Sequence, residues 1–141
     1  MRAGEARIAY IDPRDVAAAA AVLLTTNGHE GKAYSLTGPE AITFERIATE
    51  LSAATGRHVQ YVDVPDEAAR QAMVKAGLPP MVAATIVDVF GSYRAGAMAH
   101  TTDTLRALIG RKPGSFARFA RDPATTFGAG AAAPVGAAAR V

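Results

Sequence analysis

The chain has 141 residues, half of them hydrophobic, with no cysteine and a formal charge of +2. That suits one modest core of small aliphatic side chains and excludes disulfide, thiolate-metal and cysteine-nucleophile chemistry. Its cations are mostly arginines scattered among acids from Arg2 to Arg140, so no stripe for nucleic acid forms, and its longest apolar run, residues 16–24, is too short to cross a bilayer.

The opening residues also lack the apolar stretch of a secretory signal, and a cytoplasmic protein is expected. Residues 7–11 alternate and end in the β-favouring pair Tyr10-Ile11, which predicts a first strand. Asp12 follows as a helix cap, with Pro13 at the first helical position and Asp15 at the third, where a carboxylate faces the positive helix end. The helix continues to Thr26 with Ala and Leu so dense that burial on more than one side is expected, and Asn27-Gly28 ends it. Residues 33–36 predict a second strand. Thr43 then caps a helix, with Ile42 and Ile47 placed as a hydrophobic staple. Phe44, Ile47, Ala48 and Leu51 share one face of it, Glu45, Thr49, Glu50 and Ser52 the other, and Gly56 supplies the stop. Residues 59–64 alternate as a third strand closed by Pro65, after which Asp66 caps a helix that stops at Gly77.

Three strands alternating with helices predict parallel pairing through right-handed crossovers. From Pro79 onward the pattern is helical only. A helix is expected over 80–98 on the spacing of Val82, Ile86, Val89, Phe90, Tyr93 and Ala97, a second over 102–109 ended by Gly110, and a third capped by Ser115 and carrying Phe116 and Phe119. Residues 1–127 therefore read as an α/β domain, a small three-stranded parallel sheet with crossover helices followed by a helical subdomain. Residues 128–141 are Ala, Gly and Pro with little else, a low-complexity tail expected to lack a fixed fold.

The chemistry-bearing patterns are sparse. The turns Asp12-Pro13-Arg14-Asp15 and Thr37-Gly38-Pro39-Glu40 replace the glycine-rich loop that lets a phosphate approach backbone amides, and their prolines and acids oppose an anion. No tyrosine has a lysine four residues on: Tyr10 is followed by Arg14, and Tyr34, Tyr61 and Tyr93 by Gly38, Pro65 and Ala97. His29, His58 and His100 stand apart, and no serine sits in a nucleophile elbow. The residues thus assign no catalytic group, no cofactor-binding group and no metal ligand. The spacing of Asp12 and Asp15 is read as helix capping rather than acid-base catalysis, with Tyr10 on a strand and Arg14 solvated. Met81, Phe90, Tyr93 and Met98 exceed what one buried stripe requires, which makes the 80–98 helix a core helix or subunit contact, with a pocket wall as the alternative.

The strings at 10–17 and 36–43, followed by 47–57, 59–64, Ala76-Gly77-Leu78-Pro79-Pro80, Gly96-Ala97-Met98 and 110–116, resemble in their order the carboxy-terminal half of NmrA-like NAD(P)-binding proteins, atypical short-chain dehydrogenases. The resemblance covers about residues 7–122 and implies a partial Rossmann-type fold on the substrate side of a cleft, with Tyr10, Asp12, Phe90 and Tyr93 near the substrate. In complete form such a protein would use NAD(P)H to reduce a small quinone-like or carbonyl substrate. This chain alone is expected to bind no dinucleotide and to pair with the missing Rossmann half or with a second copy. The alternative is a non-catalytic regulatory or redox-sensing module that pairs with another chain. A sheet built to continue into other strands also predicts marginal stability.

Overall fold

A computed structural model describes residues 2–122; the expected tail at 128–141 lies outside them. Its elements are β1 (Arg7–Ile8), α1 (Pro13–Thr25), β2 (Ile42–Thr43), α2 (Phe44–Thr55), α3 (Asp66–Lys75), α4 (Pro80–Arg94), α5 (Thr104–Ile109) and α6 (Phe116–Arg121). The helices pack as pairs, α1 on α5, α2 on α6 and α3 on α4, with α4 also reaching β1.

Local chemistry sets the helix ends. The Asp12 carboxylate accepts from the Arg14 amide at 2.9 Å with Pro13 at the first position of α1, Thr43 accepts from Arg46 at 3.2 Å on α2, and Ser115 accepts from Arg118 at 3.3 Å on α6. Gly56 closes α2 in the left-handed region at φ +68°. The α3 boundary shifts by one residue: Pro65 is the cap and Asp66 the first helical residue, with no side-chain cap bond. α4 stops at Arg94 rather than running to Met98. Gly96 takes φ +85°, and the amides of Gly96 and Ala97 turn back onto the carbonyls of Tyr93 and Ser92, a closure that ends the helix before Ala97 can join its apolar face.

The three parallel strands are not formed among the described residues. The sheet there is one antiparallel pair, Arg7 opposite Thr43 and Ile8 opposite Ile42. The reason is where the other backbone groups go. The segment 33–38 reaches the first strand's continuation through one bond, from the Gly38 amide to the Ala9 carbonyl at 3.2 Å, too few to make a ladder. Residues 59–64 alternate but are held by side chains: Ser52 Oγ bonds both the amide and the carbonyl of Val59, and Tyr61 and Asp63 take the amides of Ala3 and Gly4.

The core is lean. Its buried apolar residues are mostly alanines around Ile8, Ile42 and Leu105, and among the described residues Leu105 is the large side chain that is fully buried. α1 is covered on one stripe only, centred on Asp15 and Ala19, which corrects the expectation of burial on several sides. Its other face is open, with Leu24 85% exposed, and Met81 on α4 is 81% exposed. Alanine-rich helices can approach one another closely, but they remove little apolar area from water.

Candidate functional site

Everything at the site hangs on Ala9. Its amide donates to the Met98 carbonyl at 2.9 Å and its carbonyl accepts from Gly38, so the chain is gripped on both sides just before Tyr10. Gly38 is obligatory there, because a Cβ at that position would lie 1.7 Å from the Tyr10 carbonyl oxygen. Tyr10, Ile11, Asp12 and Pro13 then form one wall of a pocket of about 230 Å³, and Gly114, Ser115, Phe116 and Phe119 form the other. The lining is mainly apolar, with the Tyr10 hydroxyl and the Asp12 carboxylate as its side-chain polar groups other than Ser115.

The rings form two groups, one in the pocket lining and one outside it. Tyr10 lies 6.0 Å from Phe116, which lies 6.3 Å from Phe119. On the other side Tyr61 and Phe44 are 5.5 Å apart, Phe44 and Phe90 5.7 Å, and Phe90 and Tyr93 5.4 Å. Tyr93 comes near enough to Tyr10 to oppose a second phenolate, and together with burial, the larger cause, this pushes the Tyr10 hydroxyl above its ordinary value. All seven rings are half-buried, none sealed and none free. Of the residues expected here, Tyr10 and Asp12 share the pocket, whereas Phe90 and Tyr93 stand outside its lining and join it only through Tyr93. Phe44, Tyr61, Phe116 and Phe119 complete the row.

The polar flank is tightly paired. Arg14 chelates the Asp12 carboxylate, from Nε at 3.0 and 3.1 Å and from Nη2 at 2.7 Å, and also pairs with Asp122, with its guanidinium 5.7 Å over the Phe119 ring. Arg14 is exposed, as expected, and acts as an anchor as well. The Arg14 bonds hold the Asp12 carboxyl below the usual carboxylate range. Asp15, read as part of the cap, turns instead to the loop after α5: Oδ2 accepts the Gly114 amide at 2.6 Å and Oδ1 meets Arg111 at 2.6 Å. A spacing argument identifies a capping position but gives no sign of a partner so distant in sequence.

A dinucleotide does not fit these helix starts. The first amides of α1 already face the Asp12 carboxylate, with Asp15 in the same turn, and those of α2 face Thr43, with Glu45 beside it. Among the described residues no group of three or more His, Asp or Glu could hold a metal ion, and no helix is long and apolar enough to cross a membrane.

No protein-family model matches the chain. It is 40% identical over 129 residues to the NAD(P)H azoreductase of Xenophilus azovorans, covering 92% of this chain and 45% of that protein. It is also 40% identical over 124 residues to the (4-alkanoyl-5-oxo-2,5-dihydrofuran-3-yl)methyl phosphate reductase of Streptomyces griseus, covering 88% and 44%. The crystal structure of the NADPH-dependent quinone oxidoreductase of Escherichia coli superimposes with a TM-score of 0.73 at 33% identity, over 84% of this chain and 43% of the other. The chain therefore has the α/β fold of part of a Rossmann-like, NAD(P)-binding reductase and spans somewhat under half the length of the relatives it matches.

Proposed function

We propose that these residues form the acceptor side of an NmrA-like, NAD(P)H-dependent oxidoreductase, corresponding to its carboxy-terminal half, and that the acceptor is a small, flat, conjugated molecule of the quinone or carbonyl kind. The observation that carries this reading is the mainly apolar 230 Å³ pocket, whose lining holds the contiguous rings of Tyr10, Phe116 and Phe119. The pocket is smaller than the roughly 300 Å³ at which sites for larger ligands begin, which suits one or two fused rings. The relatives' names support the same chemistry, since an azo group, a quinone and an oxo-dihydrofuran bearing an alkanoyl group are all conjugated electrophiles.

In this reading Tyr10, Phe116 and Phe119 contact the acceptor in the pocket, Phe90 and Tyr93 extend the aromatic surface outside its lining, and Asp12 fixes the rim through Arg14. The dinucleotide belongs to the remainder of the longer protein, because both helix starts here are occupied by their own caps. That remainder, or a second copy of the chain, would cover Leu24 and Met81. Light scattering tests the coverage: a monomer that stays monodisperse at high concentration counts against it.

The decisive experiment is a titration of the chain with a soluble naphthoquinone, followed by the resonances of its aromatic rings. Saturable shifts largest at Tyr10, Phe116 and Phe119, weakened in Tyr10→Ala, are expected. Shifts scattered over the surface would reject the acceptor cleft. A calorimetric titration with NADPH in parallel is expected to show no saturable micromolar binding by this chain.

A further inference from the structure

A second pocket, of about 440 Å³, opens beside residues 110–113 and is lined by Pro39, Thr101, Thr102, Arg106, Arg111 and Lys112 among others. Its charges are unequally committed. Arg111 is bound by Asp15 at 2.6 Å. Arg106 and Lys112 have no carboxylate within ion-pair distance among the described residues, and Asp103 is the one acid in the lining.

The walls that carry these cations are fixed. The Thr102 amide donates to Thr37 Oγ1 at 2.8 Å and its hydroxyl to the Ser35 carbonyl at 2.9 Å, which ties the start of the α5 segment to the 35–39 turn. The far wall is tied by Asp15 through both Arg111 and the Gly114 amide. Two uncommitted cations of different geometry, a planar fork and a point charge, thus face one hollow whose frame is held by other residues. Arg7, Lys32, Arg57, Lys75 and Arg118 also lack an ion-pair partner among the described residues, so what sets Arg106 and Lys112 apart is that both line one hollow.

We propose that this pocket is a binding site for a compact oxyanion of the phosphate class, held by Arg106 and Lys112 with the Thr101 hydroxyl as a further donor. Arginine supplies two parallel donors to a tetrahedral oxyanion and lysine a third charge-assisted bond. The site is built of side chains, so it needs no glycine loop and stands independently of the acceptor cleft.

The test is amide chemical-shift titration of the intact chain with inorganic phosphate and with phenyl phosphate, against chloride at matched ionic strength. Saturating shifts at Thr101 to Asp103 and Gly110 to Lys112 are expected, weakened about tenfold or more in the Arg106→Gln, Lys112→Gln double variant. Both substituted residues are exposed, so an otherwise unchanged spectrum verifies that the variant is folded. Saturation by phosphate alone assigns the site to the free ion, and tighter binding of phenyl phosphate assigns it to an ester. Linear shifts, equal shifts in chloride, or an unaffected double variant would overturn the proposal.

Discussion

Asp15 on α1 and Gly114 before α6 are joined by a 2.6 Å hydrogen bond across 99 residues of sequence, from the glycine amide to a carboxylate oxygen that is almost wholly buried. The other oxygen holds Arg111, so one side chain fixes the loop that separates the two pockets. Asp15→Ala leaves the buried Gly114 amide without an acceptor and is expected to cost about 2 kcal/mol. Urea unfolding monitored by circular dichroism should show a lower midpoint with an unchanged slope.

Gly38→Ala places a methyl group against the Tyr10 carbonyl, a backbone atom that cannot turn aside. The expected loss is about 3 kcal/mol, at the upper end of overpacking costs. Changes in the Tyr10 ring resonances should exceed those of other rings, and a spectrum unchanged at Tyr10 would contradict the close approach.

Leu105→Ala removes a large side chain that is fully sealed in a core otherwise built mainly of alanine. About 3 kcal/mol is expected from transfer and cavity together. Against a core this lean, that should bring thermal unfolding into the range of ordinary growth temperatures. A cooperative transition with a high midpoint in the variant would show that the core is larger than its buried residues indicate.

Asp12 titrates below its ordinary value of 3.8, chiefly through its bonds to Arg14. A depressed carboxyl contributes stability that is fully present above the ordinary value and is lost as pH falls through the depressed one. Acid unfolding of the wild type should therefore steepen below pH 3.8, and Asp12→Asn should flatten that limb while lowering stability at neutral pH. An identical acid limb in the variant would remove Asp12 from the account.

Tyr10 is raised from its ordinary value of 10.0, by burial first and by Tyr93 second. A raised phenol keeps its proton longer in the folded chain, so its contribution is complete below the ordinary value and fades as pH climbs through the raised one. In an ultraviolet titration Tyr10 and Tyr61, which burial and its bond to Asp63 also raise, should both ionise late, and Tyr93→Phe should bring only the Tyr10 phenolate part of the way back.

Much of this was readable from residue order where the cause is local. Asp12, Thr43 and Ser115 cap helices because their side chains reach amides two or three residues on, and Gly56 stops α2 through its own φ angle. Pairing between distant segments left no such mark. Residues 59–64 alternate like a strand, yet Ser52 and the amides of Ala3 and Gly4 take their bonds, and Asp15 bears the spacing of a cap while serving a remote loop. Tyr10, Asp12, Phe90 and Tyr93 enter as site candidates through the family resemblance, and of these Tyr10 and Asp12 line the pocket. Phe44 and Phe116 are not among the candidates, because their helical spacing is that of a core residue and only the fold reveals that they remain half-open.

The grip on Ala9 has a practical corollary for dissecting the molecule. Gly38 and Met98 clasp that residue from opposite sides, and Asp15 reaches forward to Gly114. A shorter piece that omits any of these would release the tether on which Tyr10 depends, so the cleft is a property of the whole span from Ala9 to Phe119 and is not divisible into a smaller recombinant unit.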